Sequence, residues 1–133
     1  MRAVASEAAT LPETRSPAFA PRELLTSTEV RRAMTSEHGP PAVLLFGAKQ
    51  CKMCRFFKPQ LASLMRKDFH NHRLLTVDLA RATEAAFVEQ GIRCTPTVAI
   101  ITPGVREPRL ISAATLDAVK LELAVGGPRQ YSE

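Results

Sequence analysis

Ala42 to Ala48 (AVLLFGA) form an unbroken apolar run between Pro40-Pro41 and a pair of cysteines. Seven residues are too few for a long buried helix, and no polar position is left to face water. The run therefore reads as a strand covered on both faces, at the centre of a sheet. Arg73 to Leu79 (RLLTVDL) and Thr97 to Thr102 (TVAIIT) repeat the pattern. Buried strands need crossover segments to cover them, so the residues between the runs decide the fold.

Those segments have helical periodicity. Thr26 and Glu29 have the spacing of a capping box, which predicts a short helix over residues 26–38 that turns Val30 and Met34 inward and stops at Gly39, Pro40 and Pro41. From Lys52 the apolar positions Met53, Phe56, Phe57, Leu61, Leu64 and Met65 predict a helix that starts at the cysteines, kinks at Pro59 and buries that stripe as core. Residues 81–91 predict a third helix, ended by Gly91. Pro103-Gly104 turns the chain into a weaker strand over residues 106–113, antiparallel to the third run. Residues 115–125 predict a last helix, capped by Thr115 and closed by Gly126-Gly127. A strand near residues 22–25 completes an α/β sandwich with a mixed sheet.

One domain is expected for 133 residues, spanning 23–126 between an N-terminal tail (1–22) and a C-terminal tail (127–133). The N-terminal segment is rich in Ala, Pro, Ser and Thr, and Pro12, Pro17 and Pro21 stand where a helix would fail. Its small, hydroxylated, Arg-bearing composition suggests the remnant of a chloroplast or mitochondrial transit sequence, whereas Glu7 and Glu13 argue against an intact one. An organelle stroma or matrix is the expected compartment and the cytoplasm the alternative. No apolar run approaches the roughly 18 residues a membrane span needs, so no membrane association is expected.

Lys and Arg number 18 against 13 Asp and Glu, a balance of +5 that attracts acidic partners in general. With no Trp and one Tyr, the chain lacks the aromatic stacking platform of single-strand binders, and nucleic acid is not expected as a partner. Three cysteines are too few, and odd in number, for a secreted disulfide framework.

Cys51 and Cys54 follow a buried strand and open a helix, where unpaired backbone N–H groups and the helix dipole favour an anion. Lys49, Lys52, Arg55 and Lys58 add positive charge, the setting in which a thiol titrates below its free value of about 8.5. Cys54, one turn on, is placed to attack a disulfide made at Cys51. Two other uses of such a pair stand beside this one: half of a zinc site, which would draw further ligands from Cys94, His38, His70 or His72, and two core cysteines without chemistry. A further feature favours thiol chemistry. Thr95-Pro96 directly precedes the third strand, and a cis bond there costs only about 0.5–1 kcal/mol more than trans while turning the preceding backbone outward as a binding ledge. An ordinary trans proline opening a strand is the alternative.

Strand, Cys-x-x-Cys, kinked helix, the Val77-Asp78 strand and the stretch Gly91-Ile92-Arg93-Cys94-Thr95-Pro96-Thr97 together resemble thioredoxin over about residues 22–126. The resemblance implies a thioredoxin-like α/β fold, a central mixed sheet flanked by helices. It also implies a protein thiol–disulfide oxidoreductase needing no cofactor or metal, with Cys51 as nucleophile and Cys54 as resolving thiol. Thr95 and Pro96 would form the substrate ledge, with Gln50 and Lys52 beside it. The implied partners are protein disulfide substrates and an electron donor, acidic in character, met by a monomer.

The chain departs from the family where Trp-Cys-Gly-Pro-Cys is usual, reading Gln50-Cys51-Lys52-Met53-Cys54, and Gly47 replaces a second tryptophan. The family's buried acid aligns with Leu45, which implies slow resolution at Cys54. Loss of the intervening Pro and gain of Lys52 imply a more oxidising pair, with a potential less negative than roughly −270 mV. Cys94 reads as a small buried filler, a regulatory disulfide partner, or a third ligand with Cys51 and Cys54 for zinc or an iron–sulfur cluster shared between two chains. A binding or assembly module that keeps the fold without the exchange chemistry is the remaining alternative. Asp78 is expected to bond locally at its strand end, and His70 and His72 to lie in a solvated loop.

Overall fold

A computed structural model describes residues 20–105 and 107–132, with side-chain burial described as far as residue 124. Nine elements follow one another: β1 (Arg22–Glu23), α1 (Ser27–Met34), β2 (Ala42–Gly47), α2 (Lys52–Asp68), β3 (Arg73–Asp78), α3 (Glu84–Glu89), β4 (Thr97–Ile101), β5 (Arg109–Ile111) and α4 (Leu116–Ser132). The five strands form one sheet in the order β1-β3-β2-β4-β5. β1 and β2 run parallel to β3, whereas β4 runs antiparallel to β2 and to β5. This is the expected mixed sheet, with β2 as its middle strand.

All six residues of β2 are buried, and the pleat explains why the run carries no polar residue. Ala42, Leu44 and Phe46 enter one apolar cluster with Val30, Met34 and Phe87 from α1 and α3. Val43 and Leu45 point to the opposite face and join Phe57, Leu61, Met65, Val119 and Leu123 from α2 and α4. Each fully covered side chain of this kind contributes about 1.5–3 kcal/mol through burial. Phe46 and Phe87 meet edge to face with ring centroids 5.2 Å apart, which fixes α3 on its side of the sheet.

Several element ends differ from expectation for local reasons. The Thr26 hydroxyl accepts the Glu29 N–H at 3.1 Å, as a capping box requires, but the Glu29 carboxylate reaches back to the Leu25 N–H instead of that of Thr26. α1 stops at Met34, short of residue 38, with Thr35 as its C-cap and the Thr35 hydroxyl donating to the Arg31 carbonyl. α3 starts at Glu84 and not at residue 81. The Thr83 hydroxyl donates to the Asp78 carbonyl and accepts the Ala80 N–H, which holds residues 80–83 in a turn. α4 opens with the Ala118 N–H donating to the Thr115 hydroxyl, as expected, but continues through Gly126-Gly127 to Ser132. Glycine keeps its N–H and costs a helix only about 1 kcal/mol relative to Ala, so it does not end one by itself. Residues 1–19 of the expected tail lie outside the described residues. Among the described residues, no helix is long and apolar enough to cross a membrane.

Candidate functional site

The C-terminal ends of β2 and β3 lie side by side, with Gly47 paired to Asp78. From Gly47 the chain passes through Ala48, Lys49 and Gln50 and enters α2 at Cys51. Cys51 is the N-cap of that helix, with extended backbone (φ −82°, ψ 109°), and its Sγ accepts the Cys54 N–H at 3.1 Å. A sulfur here replaces the usual hydroxyl or carboxylate of a cap. It therefore meets both an unpaired amide and the positive end of a 17-residue helix.

Cys51 and Cys54 are joined by a disulfide with Cα atoms 5.2 Å apart, within the span such a bridge requires. The two sulfurs differ in access. Cys51 is half-buried, and Cys54 is only 7% exposed. The Thr95–Pro96 peptide is cis, and the Thr95 carbonyl oxygen lies 3.7 Å from Cys51 Sγ. The structure thus brings Cys51, Cys54, Thr95 and Pro96 into one place, with Pro96 buried and Gln50 and Lys52 exposed beside Cys51. Lys49, Arg55, Lys58 and Arg93 are also exposed. The end of the molecule that carries the disulfide is accordingly cationic.

Three expectations about individual residues need correction. Met53 and Phe56, expected in the core, are 68% and 66% exposed. The buried stripe of α2 is Cys54, Phe57, Leu61 and Met65, and Met53 and Phe56 stand one residue off it, on the neighbouring stripe. They form an apolar rim immediately after Cys51. Cys94 is an exposed free thiol, which removes the buried-filler reading among those it had; the segment's core contact is made instead by Thr97, whose hydroxyl donates to the Cys94 carbonyl at 2.7 Å. Among the described residues, no three His, Cys, Asp or Glu side chains of the chain form a group able to hold a metal ion. His72, expected in a solvated loop, is half-buried; its ring stands edge-on to Phe69 at 5.9 Å and its Nδ1 is buried without a partner. Desolvation lowers its pKa.

The side chain that the sequence reading placed elsewhere is Asp78. It is the Asp78 carbonyl, not the carboxylate, that makes the local bond to Thr83. The carboxylate points across Gly47 toward the disulfide: a Cβ built on Gly47 would stand 3.5 Å from Asp78 Oδ1 and 3.5 Å from Cys54 Sγ. The signal for this lies in the sequence, since Gly47 and Asp78 each end an apolar run directly before a connection. Only the parallel register turns that coincidence into proximity.

Solved structures share its fold at low identity. Thioredoxin f2 of Chlamydomonas reinhardtii superposes with a TM-score of 0.70 at 15% identity, over 82% of this chain and 98% of that one. Spinach chloroplast thioredoxin f (long form) gives 0.67 at 20% identity, over 88% and 93%. Mitochondrial thioredoxin 3 of Saccharomyces cerevisiae, in oxidised form, gives 0.66 at 20% identity, over 78% and 93%. No curated protein matches the chain. Residues 23–124 match the thioredoxin family model, and a Cys-x-x-Cys pair at disulfide distance supports thiol–disulfide oxidoreductase chemistry at the level of that family. The chain belongs to the thioredoxin family.

Proposed function

We propose that the protein exchanges disulfides with specific protein partners, with Cys51 as nucleophile and Cys54 as resolving thiol. The observation that carries this reading is the asymmetry of the pair. Cys51 is half-buried with its Sγ held by a backbone N–H at a helix start, whereas Cys54 is covered and its Sγ is bonded to that of Cys51. In the reduced protein the Cys51 thiolate attacks one sulfur of a partner disulfide, forming a mixed disulfide and releasing the other sulfur as a thiolate that takes a proton. The Cys54 thiol loses its proton and attacks Cys51 Sγ, so the partner's second sulfur leaves. The partner gains two electrons and two protons, and the pair ends as the observed Cys51–Cys54 disulfide. Thr95 and Pro96 form the ledge against which the partner's backbone lies, and Gln50 and Lys52 flank it.

The rim narrows the choice of partner. Gln50 and Gly47 supply no aromatic surface, while Met53 and Phe56 supply an exposed apolar one within a ring of Lys49, Lys52, Arg55, Lys58 and Arg93. An acidic protein segment with an apolar side chain near its disulfide suits that surface, because opposite charge steers encounter and a buried apolar anchor adds affinity. Work in an organelle stroma or matrix accords with the chloroplast and mitochondrial thioredoxins among the structural neighbours.

Replacing Cys54 with Ser tests the reading. The variant should accumulate mixed disulfides through Cys51 that dissolve on reduction, and partners should be identifiable from them. Failure to trap any partner, together with failure of the unaltered protein to reduce a model protein disulfide, would overturn the proposal. Full cellular function of a Cys51→Ser, Cys54→Ser variant would instead identify a binding module.

A further inference from the structure

Cys54 must lose a proton before it can resolve a mixed disulfide, yet it is 7% exposed and Leu45, on the adjacent strand, is an apolar core residue at 2%. A covered thiol gives up its proton slowly unless a base is placed within reach to accept it. The structure offers one. Asp78 Oδ1 and Cys54 Sγ each lie 3.5 Å from the position of a Gly47 Cβ, so the two atoms stand no more than twice that distance apart. Both atoms border the space that a side chain at position 47 would fill, and a bridging water can link polar groups that stand too far apart for a direct bond.

Asp78 is held there by the ladder. Gly47 and Asp78 are register partners, the Leu79 N–H donates to the Gly47 carbonyl at 2.9 Å, and the Thr83 hydroxyl fixes the Asp78 carbonyl at 2.7 Å. Its carboxylate has no hydrogen bond or ion pair with another described residue. Outside Gly47 and its two chain neighbours, the three heavy atoms nearest the Gly47 Cβ position are Asp78 Oδ1, Cys54 Sγ and Cys54 Cβ. The charged residues closest in sequence, Lys49 and Arg81, are exposed.

We propose that Asp78 is the proton acceptor for Cys54, serving from β3 across Gly47. This inference rests on the disulfide-exchange reading. In the resolving step the Cys54 S–H proton passes to the Asp78 carboxylate, directly or through one water. The Cys54 thiolate attacks Cys51 Sγ, the Cys51–partner S–S bond breaks, and the partner's sulfur leaves with the electron pair. Asp78 then returns the proton to that sulfur or to solvent, so no outside oxidant or base is consumed. Glycine at position 47 and aspartate at position 78 thus work as a unit.

The test follows 2-nitro-5-thiobenzoate release when the reduced protein, carrying Cys94→Ser so that only the pair reacts, meets one equivalent of 5,5′-dithiobis(2-nitrobenzoate). The first release reports attack by Cys51, and the second reports resolution by Cys54. Asp78→Asn should leave the first phase at its original rate, slow the second by about a hundredfold near neutral pH, and move its pH midpoint upward. Gly47→Ala should change the second phase in the same direction, because a methyl fits at 3.5 Å but fills the path; it decides the matter should Asp78→Asn fail to fold. A second phase that keeps its rate in either variant, or slows without moving its pH midpoint, overturns the role of Asp78. A protein with Asp78 and Gly47 intact that releases no second equivalent overturns the exchange reading itself.

Discussion

At one end of the β2–β3 ladder Gly47 pairs with Asp78; at the other Ala42 pairs with Arg73, next to His72. Both ends place polar groups against apolar core, but only one pairs its sulfurs with each other and with a helix amide. At the C-terminal end a helix begins, so Cys51 finds a backbone N–H, Cys54 finds Cys51, and Asp78 faces them across a glycine. At the N-terminal end His72 Nδ1 and Arg73 Nε are buried without a hydrogen-bond partner, and desolvation holds His72 below its ordinary titration range. Buried polar groups lacking partners cost stability. The comparison separates a polar end organised around reactive sulfur from one whose groups reduce stability.

The largest effect that would break this comparison concerns neighbours on α2. Phe57 lies in the core under the site and Phe56 lies on the rim. Phe57→Ala should cost about 3–5 kcal/mol in urea unfolding, whereas Phe56→Ala should change stability by about 0.5 kcal/mol or less while weakening capture of a trapped partner. Equal stability losses would mean that the rim is core after all.

A smaller effect sharpens the electrostatic side. The pair is expected to have a potential less negative than roughly −270 mV, measurable against glutathione. Lys52→Glu reverses the charge beside Cys51 and should make the potential more negative by about 10–30 mV, the equivalent of one or two exposed charge–dipole terms. An unchanged potential would mean that Lys52 is too well hydrated to act on the thiolate.

The smallest effect belongs to the opposite end. His72 titrates below its unfolded value of 6.5, so the unfolded chain takes up the proton first. Stability should therefore fall as pH drops from about 6.5 toward the lower folded value and change no further below it. In His72→Gln this acid limb of the unfolding midpoint should flatten, and a limb that persists unchanged would assign the dependence to other groups.

Much of the architecture was legible because burial leaves a one-dimensional trace. β2 reads as a strand covered on both sides since Leu44 and Leu45 feed opposite clusters. The start of α2 is marked by the cysteine motif, and Pro96 announces β4. The rest depended on where elements end in space. Met53 and Phe56 have helical spacing like Phe57, and nothing in the sequence says that they stand beside the stripe that Cys54, Phe57, Leu61 and Met65 bury. Asp78 was legible as a strand terminus, but its bearing on Cys54 needs the register with Gly47. Packing was one of the readings open for Cys94 because cysteine is usually buried, but the thiol is exposed and the hydroxyl of Thr97 makes the segment's inward bond.

The margins of the sheet carry one more consequence. β1 has two residues, both charged and exposed, and β5 has three, with Arg109 ion-paired to Glu122. Short charged edges offer another chain little open ladder to extend, which protects against edge-to-edge aggregation. A visiting polypeptide therefore gains few main-chain bonds by lengthening the sheet sideways, and its natural approach to the sulfurs is over the strand tips.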